Sequence, residues 1–317
     1  MHRPGRVLVA GSANLDFVVR TPHVPAPGET VLGHGFATFP GGKGANQAVA
    51  CARAGGAHTR MLLALGDDPQ AAPIEASLRE AGVELDIVRT PVATGTAFIC
   101  LGDDAENAIT VVPGANAELR AEDLRDVAGF HAVLLQLESP LASVEAWAQA
   151  ARAAGAQVVL NAAPAPRARL PADLLRALDL LIVNEGELTA LTGADGSIAA
   201  RVARLALPGV VVTLGARGCY AQLRDRTWLQ PGFRVEAVDT TGAGDTFCGA
   251  LVAALAAGED VEPALRRASA AAALACTRLG AQTSVPTRAE VDALLACDDA
   301  MTSTREALAA YCGLAAT

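Results

Sequence analysis

The sequence predicts an α/β protein with a mostly parallel central sheet, helices on both faces of that sheet, and a small β-strand lid. Short apolar runs alternate with amphipathic stretches rich in Ala, Leu and Arg over most of the 317 residues, which is typical of a parallel sheet buried on both faces. After Asp245 the pattern is helical only, and two segments of alternating polarity interrupt the rhythm earlier in the chain. These three observations predict the fold class.

Apolar runs predict the strands of the main sheet, and the amphipathic stretches predict the helices. The expected strands are 6–11, 60–65, 132–137, 157–161, 180–183 and 210–214. The expected helices are 45–54, 70–81, 141–154, 172–178, 197–206, 245–257, 261–276, 287–296 and 304–312. Segments 15–39 and 95–112 carry turn signals, so we expect them to supply antiparallel strands for the lid. We expect one domain over residues 1–297 and a tail of unknown role over 298–317.

The composition argues against several classes of protein. With 51% apolar residues and a net charge of −9, the chain is too apolar for a disordered protein and too acidic for a general binder of nucleic acids or anionic membranes. The apolar runs 7–10 and 247–258 are too short for a signal peptide core and a membrane span, respectively. None of the seven cysteines is at CxxC spacing, which favours reduced thiols. We therefore expect a soluble, cytoplasmic protein with no nucleic-acid or membrane partner.

The strongest motif is Asp-Thr-Thr-Gly-Ala-Gly-Asp-Thr-Phe at 239–247. Gly242, Ala243 and Gly244 are small enough for backbone amides to turn inward at a helix start, where the helix dipole favours a phosphate. A carboxylate is repelled by a phosphate, so Asp245 suits another task, which is to take the proton from an alcohol that attacks phosphorus. The alternative interpretation is a helix N-cap after a glycine turn. The motifs GxxxxGK[ST] and GxGxxG are absent from the expected positions.

A second glycine-rich segment, Gly-Gly-Lys-Gly-Ala-Asn-Gln at 41–47, opens a predicted helix. It contains Lys43, which is the only lysine among 25 basic residues, and Asn46, and its glycines permit close approach of the backbone to a ligand. Asn14 and Asp16 follow the first strand, at the sheet edge where open α/β sheets bind ligands, and suit neighbouring hydroxyl groups. A plain glycine turn and an Asx turn are the alternative interpretations.

Two more motifs follow strand ends. Asn184 and Glu187 share a face of a first helical turn, so they suit a water-mediated Mg²⁺ ion, although a capping box has the same spacing. The segment 213–218 contains glycines against which a base or ribose would lie, or it forms a hairpin turn. Because strand ends and helix starts meet at one rim of such a sheet, we expect one site.

Together these motifs resemble the PfkB family of sugar kinases. In chain order over about residues 5–297, the resemblance is carried by GSANLD at 11–16, PAPGET at 25–30, 41–47, QLESP at 136–140, NEGE at 184–187, 239–245 and GAQTSVP at 280–286. It implies phosphoryl transfer from MgATP to O5 of D-ribose. The alternatives are a sibling kinase for deoxyribose, fructose or a nucleoside, a non-catalytic sugar-binding regulator, and a structural α/β module.

The resemblance also implies a role for each matching residue. Asp245 is expected to be the catalytic base, with the anion hole at Gly242, Ala243 and Gly244. The sugar-binding set is Asn14, Asp16, Gly42, Lys43, Gly44, Asn46, Glu138 and Asp245. The ATP set is Asn184, Thr213, Gly215, Gly218, Gly244 and Ser269, with Glu187 near Mg²⁺. A monovalent cation, usually K⁺, activates family members, and its matching positions are Asp239, Thr241, Ala275, Arg278, Gly280 and Ser284. Family members commonly form homodimers through the lid, and we expect the same here.

Overall fold

The computed structural model describes residues 4–104, 106–297, 301 and 304–314. The strands are β1 (Arg6–Ala10), β2 (Asn14–Thr21), β3 (Gly35–Gly41), β4 (His58–Gly66), β5 (Glu84–Thr90), β6 (Gly95–Gly102), β7 (Asn107–Val112), β8 (Ala132–Leu135), β9 (Gln157–Asn161), β10 (Leu180–Asn184), β11 (Gly209–Thr213), β12 (Gly218–Leu223) and β13 (Arg226–Pro231). The helices are α1 (Lys43–Arg53), α2 (Ala71–Glu80), α3 (Leu141–Ala153), α4 (Ala172–Ala177), α5 (Glu185–Thr192), α6 (Ile198–Leu205), α7 (Ala243–Ala256), α8 (Val261–Ala275), α9 (Arg288–Leu295) and α10 (Arg305–Cys312).

The main sheet has nine strands in the order β13-β12-β11-β10-β9-β8-β1-β4-β5. Its seven strands from β11 to β5 pair in parallel, and only the hairpin strands β12 and β13 are antiparallel to their neighbours. The predicted mostly parallel sheet is confirmed. Most of the parallel connections carry α-helices back across a face of the sheet, whereas the connection from β5 to β8 passes through the lid strands β6 and β7 and two 3₁₀ turns.

Helices cover both faces of this sheet, and each face has its own core. Along β1, Val7 and Val9 pack into one core with helices α1, α2, α7, α8 and α9. Leu8 and Ala10 point the other way, into a core shared with α3, α4, α5, α6 and α10. Because neighbouring side chains of a strand face opposite sides, a strand buried on both faces must be apolar throughout, which is why these strands were predictable.

The lid is a separate sheet of four strands in the order β3-β2-β6-β7. The outer pairs are antiparallel as predicted, but the central pair β2 and β6 is parallel, with Phe17 opposite Phe98. Each of the two predicted segments therefore supplies an antiparallel pair, as expected, and the parallel pairing between the two segments was not predicted. The reason for this pairing is topological: β2 follows β1 and β6 follows β5, so both leave parallel strands of the main sheet in the same direction.

Four elements were not predicted as such. Strand β5 lies at the sheet edge and mixes acidic, basic and apolar residues, so it lacks an apolar run. The hairpin β12–β13 at the opposite edge is similarly mixed. Helix α5 is short, and only its first turn was recognised. None of the helices formed by the described residues combines the length and apolar character needed to cross a membrane.

Candidate active site

The predicted motifs meet at the carboxyl edge of the main sheet. The hydroxyl of Ser12, after β1, donates to Glu138, after β8, over 2.6 Å. The amide of Gln47 in α1 donates over 2.9 Å to Asn161 at the end of β9. These contacts join segments that are more than 100 residues apart in the chain, so the expectation of one rim holds for the described residues.

Asp245 lies in the first turn of α7 but does not cap it. The N-cap residue is Gly242, in the left-handed conformation (φ 74°) and without a side-chain cap. The Asp245 carboxylate, 8% exposed, instead accepts hydrogen bonds from Asn46 Nδ2 over 3.0 Å and from Gln47 Nε2 over 2.8 Å. The N-cap interpretation was therefore wrong. Its carboxylate reaches across to α1, into the rim where the other polar side chains converge.

Backbone amides at the start of α7 provide donors for an anion. Among the described residues, the backbone amides of Gly242 and Gly244 have no hydrogen-bond acceptor, as expected for the first turn of a helix. A Cβ atom added at Gly244 would meet nothing within 4 Å, so this side of the turn is open. The amide of Ala243 differs, because it makes a 3.3 Å turn bond to the Thr240 carbonyl. The predicted group of three amides thus contains two free donors and one that is engaged.

A network of carboxamide side chains fixes the position of Gln47. Its Nε2 is shared between Asp245 and Asn161, and its Oε1 accepts a 2.7 Å hydrogen bond from Gln136. Gln47 is fully buried, so these bonds are made away from water, where an unmet polar group is costly. Gln136 and Asn161 were not predicted as site residues. The signal that would have found them is a carboxamide at or just after the end of an apolar strand.

Asp16 lies on β2 at the entrance to the lid. Its carboxylate packs on Gly41, where an added Cβ would lie 2.2 Å from Asp16 Oδ2. Burial raises the pKa of Asp16 to about 7, and the nearby negative charges of Glu138 and Asp245 add to the effect. Three carboxylates therefore share this part of the rim, which is a costly arrangement unless a ligand or cation offsets it.

The glycines at the start of α1 are required by close packing against the end of β1. Gly42 has φ 88°, and a Cβ there would lie 2.8 Å from Ala13 Cα. A Cβ at Gly44 would lie 2.7 Å from the Gly11 carbonyl carbon. Asn14 is also buried here, and its Oδ1 accepts a 2.8 Å hydrogen bond from Asn116, a residue not predicted for the site.

Lys43 is surrounded by carboxylates. Its backbone amide donates over 3.0 Å to Glu138. The negative charge of Asp245 is the largest influence that raises the pKa of the Lys43 ammonium, burial opposes the rise, and Glu138 and Glu187 reinforce it. Lys43 therefore keeps its positive charge at the point where the predicted sugar-binding and nucleotide-binding groups meet.

Asn184 and Glu187 form a complete capping box at the start of α5. Glu187 accepts 2.8 Å and 3.0 Å hydrogen bonds from the backbone and side chain of Asn184, and its own amide donates back over 2.8 Å. Burial raises the pKa of Glu187, against the opposing effects of the Asn184 amide and Lys43. The capping-box interpretation of this segment is therefore correct. Each Glu187 oxygen also retains lone pairs for a further contact.

Thr213 lies beside Asn184 in the sheet, and a 3₁₀ turn and the hairpin strand β12 follow it. The hairpin interpretation of this segment is therefore correct. Gly215 (φ 57°) faces open space, whereas a Cβ at Gly218 (φ 110°) would lie 2.0 Å from the Gln230 carbonyl, so Gly218 is needed for packing. Ser269 on α8 is buried next to Cys219, which is the residue that follows Gly218 in β12.

Asp239 joins the two loops that carry the predicted cation set. Its carboxylate accepts 2.9 Å hydrogen bonds from the amides of Thr241 and Gly280. Burial would raise the pKa of Asp239, but these contacts outweigh it and lower the pKa. The Arg278 guanidinium pairs with Glu290, which is outside the predicted cation set. The last two members are buried: Ala275 at the end of α8, and Ser284, whose hydroxyl bonds to the Ala281 carbonyl.

Comparisons with known proteins agree with this architecture. A ribokinase from Haemophilus influenzae is 39% identical over 295 residues, covering 89% of this chain and 95% of that protein. The crystal structure of ribokinase from Thermotoga maritima matches with a TM-score of 0.86 and 34% identity, over 93% of this chain and 100% of that chain. A structure of Arabidopsis thaliana ribokinase complexed with ribose and ATP matches with a TM-score of 0.84 and 35% identity, over 93% and 99% of the two chains.

The model of the pfkB family of carbohydrate kinases matches residues 5–288, which include the strands of both sheets and the rim residues described above. This chain belongs to the pfkB carbohydrate kinase family.

Proposed function

We propose that this chain is an ATP-dependent ribokinase that phosphorylates O5 of D-ribose and releases ribose 5-phosphate and ADP. The observation that carries the proposal is the placement of the Asp245 carboxylate beside the free amides of Gly242 and Gly244 at the start of α7. A proton acceptor and an anion-binding helix start are thus adjacent, as transfer of a phosphoryl group to an alcohol requires. The similarity to proteins named ribokinase supports ribose as the acceptor.

In the proposed reaction, Asp245 takes the proton of the O5 hydroxyl as that oxygen attacks the γ-phosphorus of ATP. The side-chain amides of Asn46 and Gln47 donate to this carboxylate, so they hold it in position. Gln47 is itself held by Gln136 and Asn161. Near-fixed geometry of this kind removes part of the entropic barrier.

The start of α7 supplies donors that would stabilise the negative charge on the transferring phosphoryl group. The free amides of Gly242 and Gly244 and the positive end of the α7 dipole would face the phosphoryl oxygens. The Lys43 ammonium lies close to Asp245 and would add positive charge there. Donors that are already oriented stabilise charge that develops in the transition state without further reorganisation.

The rim also fits a magnesium ion. Glu187 offers carboxylate oxygens with lone pairs in reserve, and Mg²⁺ in nucleotide sites is commonly held by one or two carboxylates, water and the phosphates. Within the described residues, no group of three or more His, Cys, Asp or Glu side chains is arranged to hold a metal ion, so we assign Glu187 a water-mediated role. When bound with ATP, Mg²⁺ neutralises phosphate charge.

The identity of the acceptor is tested by comparing substrates. The carboxylates of Asp16 and Glu138 and the carboxamide of Asn14 suit the adjacent hydroxyls of a free pentose. In an ADP-release assay, we expect kcat/KM for ribose to exceed the values for deoxyribose, fructose and adenosine. A higher kcat/KM for one of these would assign the chain to a sibling kinase, and no ADP release with any sugar would favour the non-catalytic regulator.

Replacing K⁺ by a bulky cation is expected to lower activity. Asp239 remains ionised and ties together the loops that carry Thr241 and Gly280, and such oxygen-rich loops suit a desolvated monovalent cation. They lie next to the anion-binding start of α7, so loss of the cation would disturb the phosphoryl site. We expect kcat in tetramethylammonium chloride to be several-fold below kcat in KCl at equal ionic strength. Equal activity in both salts would contradict the cation site.

We further propose that the exposed face of the lid is a homodimer interface. Phe36 and Phe98 are 67% and 52% exposed, and both stack on Phe17. Together with Val19 and Val112, which lie on the same face of the lid sheet and are also exposed, they form an apolar patch of a kind that usually marks an interaction site. We expect light scattering to give twice the 32.2 kDa chain mass. We expect Phe98→Asp to give the monomer mass, while Leu141→Asp, at an exposed apolar site on α3, leaves the dimer intact. A wild-type monomer at every concentration would contradict the proposal.

We propose small molecules as the substrates and the cytoplasm as the location. The acidic balance of the chain gives no support to a nucleic-acid or membrane partner. The seven cysteines are all free thiols in the structure, which is consistent with a reducing compartment.

A further inference from the structure

Helix α10, which belongs to the segment predicted as a tail of unknown role, is packed against the body of the protein. Leu308 and Cys312 are 2% and 0% exposed and belong to the core that α6 also covers. At the other end of the helix, Arg305 pairs with Glu262 at the start of α8 over 2.6 Å. The helix is therefore held at both ends, and the residue between Ala310 and Cys312 is kept at a defined place on the surface.

That residue is Tyr311, and it contacts two different loops. The Arg217 guanidinium lies over its ring, 4.3 Å from the centroid. Its hydroxyl donates a 2.5 Å hydrogen bond to Glu185, which raises the pKa of the Tyr311 phenol and so keeps the donor protonated. Arg217 and Glu185 also approach each other, at 3.8 Å. The three side chains form one closed contact that includes a cation–π interaction and a charge-assisted hydrogen bond.

Both loops belong to the part of the rim that the proposed function gives to ATP. Glu185 follows Asn184 and opens α5. Arg217 ends the 3₁₀ turn that begins at Gly215. Gly215 has a positive φ angle, and an added Cβ there would meet nothing within 4 Å. Backbone hydrogen bonds join the turn to Leu214 and join the Gly232 amide to the Arg217 carbonyl, and the contact of Arg217 with Tyr311 adds a side-chain restraint.

We propose that Tyr311 is a positioning residue for the nucleotide site. By holding Arg217 against Glu185, it fixes the turn at 215–218 relative to the start of α5 before ATP arrives. A loop that is already ordered loses less entropy when the ligand binds, so ATP binds more tightly. This inference rests on the proposed function, because that proposal is what assigns ATP to these two loops.

The test separates the two substrates kinetically. We expect Tyr311→Ala to raise KM for ATP by about fivefold to tenfold, since a cation–π contact and a hydrogen bond are lost together. KM for ribose should stay within about twofold, because the ribose groups lie on the other side of the phosphoryl site. Tyr311→Phe keeps the ring and should raise KM for ATP by about twofold to threefold. Ala310→Ser, at the neighbouring exposed position, should behave as wild type.

A second measurement does not need catalysis. In hydrogen–deuterium exchange without nucleotide, we expect faster exchange of the amides at 214–218 in Tyr311→Ala than in wild type or Ala310→Ser. Unchanged exchange together with an unchanged KM for ATP would overturn the inference, and so would equal increases in both KM values, which indicate general destabilisation. If wild type phosphorylates no sugar, the proposed function fails, while the exchange result still decides whether Tyr311 restrains the loop.

Discussion

Replacing Asp245 by Asn is expected to lower kcat by at least about a hundredfold while both substrates still bind. A general base commonly contributes about 10²–10⁴-fold to the rate, which corresponds to about 3–5 kcal/mol of activation free energy. Asn has nearly the same shape but does not accept the O5 proton. Steady-state kinetics gives kcat, and calorimetry gives the dissociation constants of ATP and ribose.

Two controls make this result specific. Asp225→Asn changes an exposed acid in the turn between β12 and β13 and should leave kcat unchanged. Thermal unfolding should show that Asp245→Asn is folded, although its bonds from Asn46 and Gln47 are altered. A folded Asp245→Asn variant with near-normal kcat would remove Asp245 from the role of base.

Replacing Asp16 by Asn is expected to lower kcat/KM for ribose by about thirtyfold and to make the protein more stable. The loss of activity follows because charge-assisted hydrogen bonds to two sugar hydroxyls are replaced by weaker neutral ones, each worth about 1 kcal/mol less. KM for ATP should change little. In wild type, kcat/KM for ribose should fall as the pH drops below about 7, the pKa of Asp16.

The gain in stability follows from the direction of the pKa shift. The pKa of Asp16 rises from 3.8 to about 7 on folding, so the folded protein holds this proton more tightly than the unfolded chain. Ionised Asp16 therefore destabilises the folded state increasingly as the pH rises from about 4 to about 7, by up to about 4 kcal/mol. Urea unfolding should give Asp16→Asn a higher free energy of unfolding than wild type at pH 8. The same difference should be smaller at pH 5. Asp86→Asn on β5 serves as the control, and a variant no more stable at pH 8 would contradict the assignment.

Much of the site was predictable because parallel strands impose a simple rule on the sequence. A strand buried on both faces is an unbroken apolar run, and whatever polar group follows it lies at the carboxyl edge. Asn14, Glu138 and Asn184 were found in this way or through the family resemblance. Asp245 was predictable because a carboxylate beside an anion-binding glycine turn makes chemical sense only if it has a task of its own.

Other features depend on contacts between distant segments, and no local pattern signals them. Asn116 reaches Asn14 from a 3₁₀ turn about 100 residues away, and the Gln136–Gln47–Asn161 network crosses three separate elements. The parallel pairing of β2 and β6 follows from the main sheet, not from either strand. The contact of Tyr311 with Arg217 and Glu185 likewise appears only once α10 is docked.

Transfer of the phosphoryl group to O5 of ribose is tested most directly when the product is identified by ³¹P NMR after wild-type protein is incubated with D-ribose and MgATP. We expect a single sugar phosphate, ribose 5-phosphate, formed in the same amount as ADP. Phosphate on a different oxygen of ribose, or ADP and free phosphate without any sugar phosphate, would contradict it.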